Sequence, residues 1–291
     1  MSPEFQSALL NWNIPPVTTL LLLLTAIVYL RGWLLIGQTR PGQFPVWRLG
    51  CFLLGLFMLF LAVASPLDTL DGQLLSAHMG QHFLFMTAAP PLLLLGLPQV
   101  PLLRGLPRSV IRRVLGPLFR TAWWKKLGHL LTSLKPAWLL MNLSYIGWHI
   151  PAAYELALRS ESWHNLEHAC FFFTSILFWW PIIRPWPDAR QKLSWMLLPY
   201  LLTSDLINTI ISASLCFSGR VVYPTYAVTT PLLGVDPLTD QAAAGAFMWV
   251  TNSTVFLFPA FWITMQLLAP NRGRRKAVLT ASPKAGHSRS L

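Results

Sequence analysis

Seven stretches of this chain, at about residues 17–36, 46–65, 73–97, 136–151, 163–183, 195–217 and 241–269, are runs of mostly apolar side chains. An α-helix needs about 20 such residues to cross the hydrocarbon of a bilayer. In lipid the backbone has no water to bond, and a helix satisfies its own N–H and C=O groups within the segment. The expectation is an all-α, polytopic bundle of seven transmembrane helices over residues 1–270. The fourth stretch is the weakest, because its apolar run is short and its ends are polar or bounded by proline. Composition excludes an ordinary soluble domain: the chain is 54% apolar and 11% charged, with a mean hydropathy of +0.50. Cys51, Cys170 and Cys216 lie inside apolar runs, which argues against a disulfide framework. Met1–Phe5 lacks a basic n-region and carries Glu4, so no cleavable signal peptide is expected.

The formal net charge of +12 would suggest a nucleic-acid partner if the basic residues were spread evenly. They are not. Of the 22 Lys and Arg residues, only Arg159 and Arg220 fall between stretches four and five or six and seven. The other twenty lie at the end of stretch one, at the start of stretch two, in the alternate loops and in the C-terminal tail. Positive-inside bias then places the N-terminus outside and the C-terminus in the cytoplasm. Residues 271–291 read as a basic, disordered cytoplasmic tail. The charge is topological and implies no nucleic acid. Ser109–Leu131, with its Arg, Lys and Trp123–Trp124, is expected to lie as an interfacial helix on the anionic inner leaflet.

That orientation brings five of the seven histidines to one depth. His78 and His82 sit in the outer third of the third stretch. His149 closes the fourth, and His164 and His168 open the fifth. Residues four apart share a helix face, so each pair presents two imidazoles together. One histidine at a membrane surface is ordinarily a polar headgroup contact, and one such pair is compatible with packing. Five in a single layer on three helices favour a metal or haem site, because ionisable groups are costly in lipid. Glu167, three residues after His164, is either a further ligand or a group that fixes a ring tautomer. Asp240 and Gln241 open the seventh stretch at the same level, and Met248 lies two turns below; these are candidates for further ligands or supporting contacts. Imidazole suits copper, zinc, iron and nickel, and thioether adds a preference for Cu(I). Met79, Met86 and Met248 are nonetheless read first as packing residues, and Tyr154, Tyr223 and Tyr226 as surface anchors.

Asp205 and Asn208 lie near the middle of the sixth stretch, where an acid is either paired or part of an ion path. Asn142, Asn252 and Ser253 are the expected partners, and a structural or coupled role is favoured. Below the histidine layer the sequence shows no second cluster. Pro90–Pro91 removes two backbone donors and is expected to kink the third stretch, leaving carbonyls for neighbouring helices to satisfy.

Several of these residues fall in a wider pattern. His78-Met79-Gly80-Gln81-His82 is followed by Ala89-Pro90-Pro91-Leu92 and Gly96-Leu97-Pro98. Next come Trp148-His149-Ile150-Pro151, Tyr154, His164, Glu167-His168 and Phe178-Trp179-Trp180-Pro181, then Tyr223, Tyr226, Asp240-Gln241, Gly245 and Met248-Trp249. In this order, over roughly residues 20 to 270, the chain resembles the CtaG-type cytochrome c oxidase assembly factors. The resemblance implies a multi-pass protein of the bacterial inner membrane with no enzymatic activity. It would help mature a haem–copper oxidase through copper supply. Its partners would be oxidase subunits or an extracytoplasmic copper chaperone. Zinc remains open as the metal. So do a haem-binding electron-transfer protein, with two of the histidines as axial ligands, and a metal permease.

Overall fold

Each apolar stretch is helical in the computed structural model, which describes residues 6–8, 10–39, 44–117, 121–183 and 194–269. In chain order the helices are α1 (Pro16–Thr39), α2 (Val46–Ala64), α3 (Pro66–Leu70), α4 (Leu75–Phe83), α5 (Ala89–Leu95), α6 (Gln99–Gly105) and α7 (Ala122–Leu131). They continue as α8 (Leu134–His149), α9 (Pro151–Arg159), α10 (Glu161–Ile183), α11 (Leu197–Cys216), α12 (Pro224–Thr229) and α13 (Pro237–Leu268). Among the described residues there is no β-strand. The basic tail expected at 271–291 lies outside the described residues.

Four helical segments are long and apolar enough to cross a membrane: Pro16–Thr39, Val46–Leu70, Glu161–Ile183 and Pro237–Leu268. A fifth is added if α4–α5 and α6, which meet at a bend of 70°, are counted as one span. The two remaining stretches fall short for different reasons. Helix α8 has 16 residues and so reaches about 24 Å, less than the roughly 30 Å of a hydrocarbon core. Helix α11 has 20 residues but carries Thr203, Ser204, Asp205, Asn208 and Thr209 in its middle turns.

Where helices approach most closely, small residues stand at the contact, as expected when lipid gives apolar side chains no reason to prefer protein. Helices α1 and α6 meet at Gly32 and Gly105. A Cβ on Gly32 would run into the Pro101 carbonyl, and one on Gly105 into the Val28 carbonyl. Between α11 and α13, a Cβ on Gly245 would lie 2.6 Å from the Cys216 amide nitrogen.

The Pro90–Pro91 pair does not break its helix. A π-helical turn, Leu84–Ala88, precedes it, and the sharp bend falls later, at Gly96–Pro98. Whether that turn is counted as α or π, the amide that would bond the Met86 carbonyl belongs to Pro90 or Pro91, and neither has an N–H. The Trp179 indole N–H of α10 donates to this oxygen instead, at 3.3 Å.

The expected interfacial helix Ser109–Leu131 is interrupted. Arg108–Val110 and a π turn, Ile111–Leu115, precede residues 118–120, which lie outside the described set, and the helix resumes as α7. Helix α7 buries no residue, and Trp123 and Trp124 are exposed.

The main core packs α8, α10, α11 and α13 around Tyr145, Phe171, Phe178, Trp179, Tyr200 and Phe256. A polar layer runs through it, a second cluster that was not expected below the histidines, built in part from the expected pairing of Asn208 and Asp205 with Asn252 and Ser253. Asn208 Oδ1 accepts from the Tyr145 hydroxyl (2.9 Å), the Asn252 amide (3.0 Å) and Ser212 Oγ (3.3 Å). Thr87 donates to Asn252 Oδ1 (2.8 Å), and the Asn142 amide donates to Ser204 Oγ (3.0 Å). Ser253 Oγ donates to Asp205 Oδ1 (2.7 Å), so Asp205 is a tie between α11 and α13. Such interhelical bonds are each worth about 1 kcal/mol in a membrane. The layer encloses only about 20 Å³, roughly room for one water.

Candidate metal centre

Helix α4 sets His78 and His82 one turn apart, and their Nε2 atoms face each other at 2.8 Å. Helix α10 repeats the device: the His164 and His168 ring centroids are 4.2 Å apart, with Glu167 beside them. Because α10 packs against the π turn and α5, which continue α4, Glu167 reaches the histidines of α4. Its Oε2 is 3.6 Å from His78 Nε2 and its Oε1 is 3.4 Å from His82 Nε2. One potential ligand atom each from His78, His82, Glu167 and His168 lies within 4.8 Å of the others, and all four side chains are buried. His78, Asp71 and His164 form a second such group.

His149 is near but stands apart. Its ring is 5.9 Å from that of His82. The Nδ1 sits 2.8 Å from the Tyr145 carbonyl, one turn back on α8, so it carries the proton and donates. That leaves the Nε2 lone pair free, and no hydrogen-bond donor reaches it.

The electrostatic problem posed by this arrangement identifies what would fit it. Two facing Nε2 atoms at 2.8 Å either share one proton or direct two lone pairs at a cation. Both Glu167 oxygens and the Nε2 atoms of His149, His164 and His168 are buried without a hydrogen-bond donor. The carboxylate–imidazole separations of 3.4 and 3.6 Å are too long for strong hydrogen bonds. An unpaired buried polar group costs about 1–3 kcal/mol, and here several converge on one volume. A cation satisfies them together. Three imidazoles and a carboxylate make a set that zinc and copper both accept.

The walls are aromatic. The Phe85 ring lies 4.6 Å from His168, Phe171 4.6 Å from His82, and Tyr154 4.9 Å from His78. Above them the short helices α9 and α12 bring three tyrosines together. Tyr223 stacks on Tyr154 at 4.0 Å and donates its hydroxyl to the His149 carbonyl. The Tyr226 hydroxyl lies 3.1 Å from that of Tyr154 and 3.4 Å from His78 Nδ1, and it donates to the Asp71 carbonyl at 2.7 Å. Burial raises the Tyr226 phenol well above its usual range, so it stays a donor. At Asp71, burial first and the Asp68 charge second push the carboxyl up to about 7.

The other expected residues serve the site indirectly or not at all. Asp240 accepts from the Leu75 amide (2.7 Å), the Ser76 amide (3.4 Å) and Ser76 Oγ, and so caps the helix that carries His78 and His82. Gln241 is spent on the backbone around α11 and its exit, accepting from Val222 and donating to Leu215 and Arg220. Met248 is a core residue, as is Met79. Asp205 and Asn208 belong to the polar layer described above. Sequence reasoning missed Asp71 as a potential ligand. The only signal was its position just after the second stretch, on the same outer level as the histidines.

No curated protein and no solved structure matches the chain. The family model for the cytochrome c oxidase caa3 assembly factor matches residues 27–269, an interval that takes in every residue of both ligand groups. With most of its length inside that match, the chain belongs to the cytochrome c oxidase caa3 assembly factor (Caa3_CtaG) family.

Proposed function

We propose that this protein carries copper as cargo at His78, His82, Glu167 and His168, and passes it to an apo-subunit of a haem–copper oxidase or to an extracytoplasmic chaperone. In this reading it is a seven-span protein of the bacterial plasma membrane, N-terminus outside, and an assembly factor rather than an enzyme. The observation that carries it is the convergence of three imidazole nitrogens and a carboxylate within 4.8 Å, buried and without hydrogen-bond donors for Glu167 and His168 Nε2. Family membership supplies the client, an oxidase that needs copper, and so favours copper over zinc.

The close aromatic walls favour an ion over a haem, whose macrocycle would need the space that Phe85, Phe171 and Tyr154 occupy. The polar layer beneath is closed by its own hydrogen bonds around a one-water space, which speaks against a permease path. The test is metal analysis and absorption spectroscopy of protein purified in mild detergent. Copper near one equivalent and no Soret band are expected. A Soret band would transfer the argument to a haem protein, and zinc in preference to copper under competition would remove the delivery role.

A further inference from the structure

We infer that Asp71 and His164 form an outer receiving position for the ion, joined to the buried set through His78, which belongs to both. This deepens the copper reading above and rests on it. A single four-coordinate ion does not need all the ligands gathered here, and the surplus is not scattered. Potential ligand atoms of Asp71, His78 and His164 lie within 4.8 Å of one another, and His164 Nε2 is 3.5 Å from Asp71 Oδ2 with no hydrogen-bond donor.

Access is graded. The His164 and Asp71 side chains are 20% and 16% exposed, whereas His78 and Glu167 are at 0%. An ion arriving from the outer side meets Asp71 and His164 first. Asp68, one turn before Asp71, adds negative charge at this mouth.

The next step is short. The His78 ring centroid is 5.2 Å from that of His164 and 4.4 Å from that of His82, and His168 follows His164 by one helical turn. A shared ligand lets the ion exchange Asp71 and His164 for His82, Glu167 and His168 one bond at a time. It is never stripped bare in a medium of low dielectric, where an unpaired charge is very costly. No electron moves: ligand bonds form and break in equal number, apart from the one to Glu167 that completes four-coordination. Because two cations this close repel strongly, the positions fill in turn and the protein holds one ion. Tyr226 keeps the pair in register, with its hydroxyl against both His78 Nδ1 and the Asp71 carbonyl.

The experiment uses the full chain in detergent, with Cu(I) supplied from a coloured chelator, and reads both the rate of loading and the final occupancy. Asp71→Asn keeps the shape and the backbone bond to Tyr226. It should load at least about tenfold more slowly, a loss no smaller than that from removing a group that merely supports a metal ligand, yet reach the wild-type occupancy. Glu167→Gln should lower the final occupancy itself. Loading of Asp71→Asn at the wild-type rate overturns the inference while leaving the buried site standing. So does a loss of final occupancy in Asp71→Asn as deep as in Glu167→Gln, which would make Asp71 a ligand of a single centre. Should Asp71→Asn fail to fold, His164→Gln is read the same way. A wild-type protein that takes up no Cu(I) sinks the functional reading, and the outer position falls with it.

Discussion

Asp240, near the start of the last helix, accepts a hydrogen bond from the amide of Leu75, the first residue of α4, at 2.7 Å. The same carboxylate takes the Ser76 amide and hydroxyl. A carboxylate at a helix N-terminus satisfies amides that have no partner within the helix and favours the positive end of its dipole. The residue that looked like a ligand in the sequence is therefore what fixes the helix presenting two of the candidate ligands. Asp240→Ala should cost about 1.5–3 kcal/mol, the range for a hydrogen bond to a charged group, and should lower bound copper. Ser76→Ala should reproduce a fraction of both effects. Thermal unfolding in detergent, read beside metal content, checks this. Full stability with lost copper would instead mark Asp240 as a direct ligand.

His82→Ala and His168→Ala should each reduce bound copper at least about tenfold while the helices remain folded, because each removes a ligand from a site whose packing is otherwise intact. His129, on the exposed α7, and His287 should be dispensable. Circular dichroism and metal analysis on the same preparations decide it. Full copper in both site variants would make the histidine layer structural.

Reporter fusions after Lys126 and Lys276 should read cytoplasmic, and those near Asp71, Ser160 and Tyr226 extracytoplasmic. The basis is the confinement of all but two basic residues to alternate loops, the stretch ends that flank them, and the tail. The short α8 makes Ser160 the critical position. A cytoplasmic reading there would put the ligand layer on the wrong side for delivery to an external copper centre.

Deleting the gene should lower haem–copper oxidase activity without lowering transcription of the oxidase subunits. Added copper should restore part of that activity, since mass action loads a poorly supplied site. Each oxidase present has to be assayed. Normal activity and copper content in all of them under copper limitation would end the assembly-factor reading.

The parts of the site that follow local rules were legible in the sequence. His78 with His82 and His164 with His168 are four apart, and helix geometry alone puts each pair on one face. Charge bias then placed both pairs at one depth with His149. The Pro90–Pro91 rule correctly required a donor from a neighbouring helix, though it could not say that Trp179 would supply it. What was not legible depends on packing between stretches. Asn252 and Ser253 were expected as partners of Asn208 and Asp205, and they are, but Thr87 reads as an isolated polar residue in an apolar run, and the layer it joins exists only once several helices meet. Asp71 reads as an ordinary loop acid until α10 brings His164 to within 3.5 Å of it. His149 shows the converse. It shares the depth of the other four and its Nε2 is left free by the bond of Nδ1 to the Tyr145 carbonyl, but its ring stands 5.9 Å from that of His82, outside the four-residue group.

The bond between Asp240 and the start of α4 joins parts of the chain 165 residues apart, and Tyr226 reaches back across 155 residues to Asp71. On a growing polypeptide, His78, His82, Glu167 and His168 are all synthesised well before either tie can form. The candidate ligands therefore exist early but are not held in position until the helix that carries Asp240 has been made. On the copper reading proposed above, a nascent chain would be a poor trap for stray metal until Asp240 and Tyr226 have been made.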